Sequence, residues 1–329
     1  MSLTTPTRRA VAPAADLSVD TIARMRRNFY ADGQINEDEA VELLEMSDRF
    51  DELQPAFAMF FVEAMTDFVV HQAEPRGYVD QELAEWLVAQ LIRDQAITTH
   101  TELELLVRIM ETAESVPDEL ELFTLDTIGE AVLNGDQQLL NAEHLQQGVV
   151  GSAEANLIRR VIYGTGGSNT VFVSRAEADF LFDLNDATAA APVDPAWAAL
   201  FRQGVTNHLM AGVTYEPLTK NERVARDNEA APNRGVGGFI SRMFTSAPDF
   251  EGFNEDHADQ DWTQREVDAD AKRNRDAANI TRDEAEWLIE RITRDGVLHD
   301  NEIAVLKFIK AEAPEICGTL DELLADLGA

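Results

Sequence analysis

The sequence predicts an all-α protein: two related helical-bundle lobes from an internal duplication, joined by loops, with a long irregular insertion in the second. Three observations predict it. Apolar residues recur at helical spacing, as at Val41 and Leu44, Val88, Leu91 and Ile92, or Val305, Leu306 and Ile309, and no segment sustains period-two alternation. Short blocks reappear in the same order in the two halves. The apolar windows are preceded by a polar residue with an acid three positions on, the mark of a helix start.

Residues 1–16 read as a disordered N-terminus, with Arg8 and Arg9 but no apolar run after them, so no secretory signal is expected there. The first lobe, 17–135, opens on Arg26-Arg27-Asn28-Phe29-Tyr30, whose counterpart is Arg159-Arg160-Val161-Ile162-Tyr163; each is followed by a glycine-containing turn. Glu39-Ala40, Leu43 and Asp48 then match Glu177-Ala178, Leu181 and Asp186. Pro55-Ala56-Phe57-Ala58 matches Pro195-Ala196-Trp197-Ala198, with Phe61 on Phe201 and Thr66 on Thr206. Ala84-Glu85-Trp86-Leu87 matches Ala285-Glu286-Trp287-Leu288, which places both tryptophans in apolar helices as core.

A connecting helix or linker is expected at 136–152, and the second lobe spans 153–329. A short turn separates Val70 from Val79 in the first lobe, whereas Met210 and Ile280 are the matching points in the second. The insertion, 212–278, holds Gly235, Gly237, Gly238, several prolines and an acidic run from Glu251 to Asp261, a loop or partly disordered composition. Within it, Phe239, Ile240, Met243 and Phe244 form an apolar cluster that suits either a groove of this protein or a partner.

The chain has 329 residues, enough for about two domains at ~100–200 residues each. Its 61 acidic and 27 basic residues leave a formal net charge of −34, a field that repels phosphate backbones and attracts cations and basic partners. No nucleic-acid backbone binding is therefore expected, and a plain solvated acidic surface is the first account of the charge, ahead of cation or partner binding. The single cysteine, Cys317, excludes an internal disulfide framework and a thiolate cluster. The most apolar stretch, Pro55 to Val70, is too short to span a bilayer and carries Glu63 and Asp67. A cytoplasmic protein is the expectation.

The helix starts carry the first candidate site. Asp32-Gly33-Gln34-Ile35-Asn36-Glu37-Asp38-Glu39 and Asp295-Gly296-Val297-Leu298-His299-Asp300-Asn301-Glu302 share a pattern, with shorter versions from Ser174 to Glu177 and from Thr281 to Glu284. A capping box explains it: the polar residue caps the helix and the glutamate answers back. His299 is the weakest of these caps. The same pattern is the second half of a calcium loop, where glycine turns the chain and the last glutamate chelates. Asp32, Asn36 and Glu39, and Asp295, His299 and Glu302, are then the candidate ligands for a divalent, calcium-type cation. The front positions of such loops would fall on Asn28 and Tyr30, and on Arg291 and Thr293, which argues against a full cage.

Two tandem helix hairpins entered in this way resemble the tellurite-resistance TerB-like domains, on the residues Ala31 to Leu44 and Arg294 to Ile309. At the other entry of the first lobe Gln95 stands in place of the glycine and Thr101 in place of the glutamate. The resemblance implies an all-helical fold, a cytoplasmic stress-associated context and divalent-cation binding, and it implies no enzymatic reaction.

Glu63, Asp67 and His71 fall at i, i+4 and i+8 on one helix face, a set able to hold a transition metal or carry acid–base work. Their counterparts Gln203, Asn207 and Ala211 keep hydrogen-bonding capacity without charge, so a polar contact between helices explains both halves. No P-loop, GxSxG or HExxH motif is present, and Gly235-Val236-Gly237-Gly238 is not a dinucleotide fingerprint. The expected activity is non-enzymatic binding of a protein partner, with a divalent-cation protein as the alternative and a metalloenzyme on Glu63, Asp67 and His71 behind both.

Overall fold

A computed structural model of the chain describes residues 19–49, 53–92, 96–142, 145–164, 173–210, 280–312 and 320. Among these it is all-α, with no strand. In the first half lie α1 (Val19–Phe29), α2 (Glu37–Ser47), α3 (Pro55–Thr66), α4 (Gln81–Leu91), α5 (His100–Thr112) and α6 (Asp118–Asn134). In the second lie α7 (Ser152–Ile162), α8 (Arg175–Ala187), α9 (Pro195–Met210), α10 (Arg282–Thr293) and α11 (Asp300–Glu312). Helix α3 runs directly into a π-helical turn, Asp67–Gln72.

The helices start where the polar-x-x-acid pattern places them. Asn36 accepts from Glu39 N while Glu39 answers the Asn36 N–H, and Ser174 with Glu177 and Thr281 with Glu284 do the same. At α5 the box is Thr99 with Glu102, one residue later than the position read against Thr101. Asn36→Ala removes half of the α2 box and is expected to cost about 1 kcal/mol, measured by urea unfolding. Helix α6 ends on Gly135 at φ +72°, a left-handed position that glycine takes without a Cβ penalty.

Two apolar helices organise the packing. Helix α3 lies against α1, α2 and α5, and α9 lies against α7, α8 and α11. Helices α5 and α6 pack on α7, and α6 also on α8, so one hydrophobic core extends from Ile22 to Leu320. The two bundles expected from sequence thus share a core. The reason is that α6 and α7, which pack on each other, both turn apolar residues into the seam: Leu125, Ile128, Val132, Ala155, Ile158 and Val161 are all buried. In the expected connecting helix or linker, 136–152, the described stretch before α7 forms turns.

Trp86 and Trp287 are both buried, Trp86 edge-on to Phe68 and Trp287 edge-on to Phe182. No helix among the described residues is long and apolar enough to cross a membrane. The N-terminal 1–16 segment and the 212–278 insertion, with Phe239, Ile240, Met243 and Phe244, lie outside the described residues.

Candidate functional site

Helix α3, Pro-Ala-Phe-Ala-Met-Phe-Phe-Val-Glu-Ala-Met-Thr, is apolar nearly all round. A helix of that kind is normally covered on every side. Phe57, Phe60, Phe61, Ala64 and Met65 are indeed buried, yet Met59 is 72% exposed. It lines an open cleft of about 1140 Å³ on the first-half helices α1, α3 and α5. Ile22, Phe60 and Val62 contribute apolar wall, and Arg26, Glu63, Asp67, His71, Glu104 and Arg108 contribute polar wall.

Glu63, Asp67 and His71 therefore do face one cleft, as their spacing predicts, but each carboxylate is already engaged. Glu63 is held by both terminal nitrogens of Arg26 on α1. Asp67 accepts from Gln72 Nε2 at 2.7 Å and bonds the Tyr30 hydroxyl. Burial, then the Asp67 charge, pushes that phenol above the usual tyrosine range, so it stays protonated and donates. His71 is exposed, and no bond joins it to Glu63 or Asp67. The π turn explains why Gln72, five residues on, is the group that meets Asp67: a wider turn brings i+5 over i. Gln72 Oε1 in turn accepts from Ile35 N at 2.8 Å, tying the start of α2 to the end of α3.

Thr66 also lines the cleft, 5% exposed, its hydroxyl buried without a hydrogen bond. At the matching place in α9, Thr206 donates to Arg202 O at 2.7 Å.

The half-loop residues are turned inward on their own backbones. Asp32 Oδ1 accepts from Gln34 N at 3.2 Å and Glu39 Oε2 from Asn36 N at 2.9 Å. Asp295 Oδ1 accepts from Val297 N at 2.8 Å and Glu302 Oε2 from His299 N at 2.7 Å. His299 does not cap α11 with its ring; its Nε2 pairs with Asp295 Oδ2 at 2.8 Å, which raises the imidazole above its ordinary value. Glu302, 1% exposed, is pushed up to about 7 by burial. The second half-loop thus gathers Asp295, His299 and Glu302, with Asp186 nearby. The first leaves Asp32 out on the surface. Among the described residues no group of three or more His, Cys, Asp or Glu is placed to hold a metal ion.

His299 also lines a polar cavity of about 490 Å³ with Asn185 and Asn301, whose side chains bond each other at 2.8 Å. Sequence reasoning missed Met59, Tyr30 and Arg26 as cleft residues. The signal was present for the first: Met59 continues the i, i+4 ladder of Glu63 and Asp67 backward by one turn.

Comparison with protein-family models, curated proteins and solved structures finds no match to this chain.

Proposed function

We propose that this chain is a non-enzymatic binding module, built by duplication of a helical unit, whose first-half cleft docks a basic amphipathic helix of a protein partner. The observation that carries the reading is Met59. An exposed, flexible, polarisable side chain on a helix that buries Phe57, Phe60, Phe61 and Met65 marks apolar surface that a partner helix would cover. The partner is basic because the field of the whole chain, at −34, steers cations toward it, while both cleft arginines lie beside carboxylates of this chain.

The duplication is supported by paired details. The apolar residue before each cap, Ile35 or Val173, gives its N–H to a side-chain amide on the neighbouring apolar helix, Gln72 or Asn207. The second half does this directly from the position matching Asp67, without a π turn. A polar contact between helices is thus the shared role of this face, and the open cleft is the property of the first half.

The test uses a Leu/Lys amphipathic peptide of about 18 residues, long enough to form a helix, with its Leu/Glu counterpart as control, by calorimetry on the full chain. The Leu/Lys peptide is expected to bind and the Leu/Glu peptide not. Met59→Asp is expected to weaken binding at least about tenfold. Because that change adds a negative charge, unspecific attraction would instead strengthen, and such a result would remove the cleft as the site. Tighter binding after Phe239, Ile240, Met243 and Phe244 are changed to Ser would make the chain's own insertion the occupant. A dimer split by Met59→Asp would make it a second copy.

A further inference from the structure

The joint between α6 and α8 sets acid against acid. Near its centre the helices approach closely, since a Cβ on Gly129 would stand 3.1 Å from Phe180 Cε2. Toward the start of α8, Glu177 is 4% exposed and serves in the capping box, where its Oε2 accepts from Ser174 N at 2.6 Å. Its other oxygen, Oε1, is buried and has no hydrogen-bond donor. The side chain of Glu121, on the facing helix α6, lies near enough to this carboxylate for each to act on the other's protonation. Two carboxylates cannot hydrogen-bond each other. One carboxylic acid and one carboxylate can, and the acid supplies the donor that Oε1 lacks.

We propose that Glu121 and Glu177 share one proton, carried on Glu121 and donated to Glu177 Oε1, and that this proton holds α6 to α8. Its loss sets the half-buried Glu121 charge against the buried Glu177 charge and loosens the joint, so the packing of the first-half helices on the second responds to pH. The balance is simple. The Glu121 O–H releases its proton to solvent, and no other bond is made or broken.

The surroundings favour retention of the proton. Burial, then the Glu177 and Asp118 charges, pushes Glu121 up to about 9. Burial also raises Glu177, against the hydrogen bonds from Ser174 and Glu121 that favour its charge. At the C-cap of α7, Tyr163 feels the Glu177 charge, with Arg159 acting on the phenol in the opposite sense. Further along α6, Asp126 is raised by burial and by the charges of Glu130 and of Asp183 on α8. Asp183 itself is held by Arg291 and Arg294 on the α10 side. The charges acting on Glu121 are thus carboxylates, whereas the acid at the far end of the joint has arginine partners. The sign follows: an acid whose folded value lies above its unfolded value, about 4.5 for this glutamate, stabilises the fold fully below that value. The contribution is lost as pH rises through the folded value, here between about 4.5 and 9.

The experiment is urea unfolding of the full chain at pH 5 to 9, wild type against Glu121→Gln. The glutamine amide keeps a donor for Glu177 Oε1 and cannot ionise. The wild-type folding constant is expected to fall with rising pH, by up to about tenfold per unit for one proton, and the variant to lose that part of the slope. Parallel slopes would overturn the proposal. A second measurement needs no variant: carbon-13 carboxyl NMR of glutamate-labelled wild type at pH 8, above the range in which Glu302 ionises. One glutamate carboxyl still in its protonated position at that pH is the expected result. A spectrum with every glutamate ionised would overturn the shared proton.

Discussion

Phe201→Ala should cost about 3–5 kcal/mol of folding free energy. Phe201 is fully buried in the middle of α9. Its ring stands edge-on to Phe182 with centroids 5.0 Å apart, and 6.1 Å from Trp197. Truncation removes the transfer free energy of the ring and leaves a void where α7, α8 and α11 meet α9. The backbone of packed helices closes around such a void only in part, which places the cost above that of transfer alone. Phe308→Ala supplies the contrast: that ring is 37% exposed on α11, and its loss should cost about 1 kcal/mol or less. Urea unfolding with tryptophan fluorescence reads both. Equal costs for the two would mean that the core does not centre on α9 as described.

The second large effect is expected at Arg291. Its guanidinium, 15% exposed, joins Asp179 at 2.5 Å and Asp183 at 2.9 Å, bracing α10 against α8. Trp287 Nε1 donates to the same Asp179 oxygen at 2.8 Å. Arg291→Met keeps most of the apolar stem and leaves Asp179 facing the core edge with the indole as its one polar neighbour in this set. Breaking a buried pair costs about 3–5 kcal/mol. Asp183 is 55% exposed and keeps Arg294, so water screens part of the loss. About 2–3 kcal/mol is the expected result. Adding Asp179→Asn to Arg291→Met should recover part of it, because the uncompensated charge is gone. A double variant as damaged as the sum of the two singles would show that the pair is not coupled.

The helix starts were legible because each is decided within four residues. Asn36 with Glu39, Ser174 with Glu177 and Thr281 with Glu284 form as read. The miss at α5 is instructive. The pattern was aligned on its turn, at Asp94 and Gln95, but the box forms wherever a hydroxyl finds a glutamate three residues on, and Thr99 finds Glu102. The glutamates at these starts were read as capping-box partners or cation ligands, with no burial assigned to them. Glu102, Glu177 and Glu302 are instead nearly fully buried, and each accepts hydrogen bonds from backbone N–H groups at its own helix start. That is a destination no local pattern encodes.

The candidate site divided in the same way. The i, i+4, i+8 spacing placed Glu63, Asp67 and His71 on one cleft, and helical periodicity accounts for that much. The π turn that hands Asp67 to Gln72 was not legible, since it follows from where the α2 start at Ile35 must be met.

By itself the sequence determined the all-helical class, the places where most helices begin, the buried tryptophans and the strongly negative field. These are set by periodicity, by contacts between residues three or four apart, and by summed charge. Only the tertiary structure decided that Met59 is left uncovered, that Arg291 finds acids on α8, and that Glu121 meets Glu177. Each depends on which helix lies alongside another far away in the chain, and side-chain chemistry acts only after packing has chosen the neighbour.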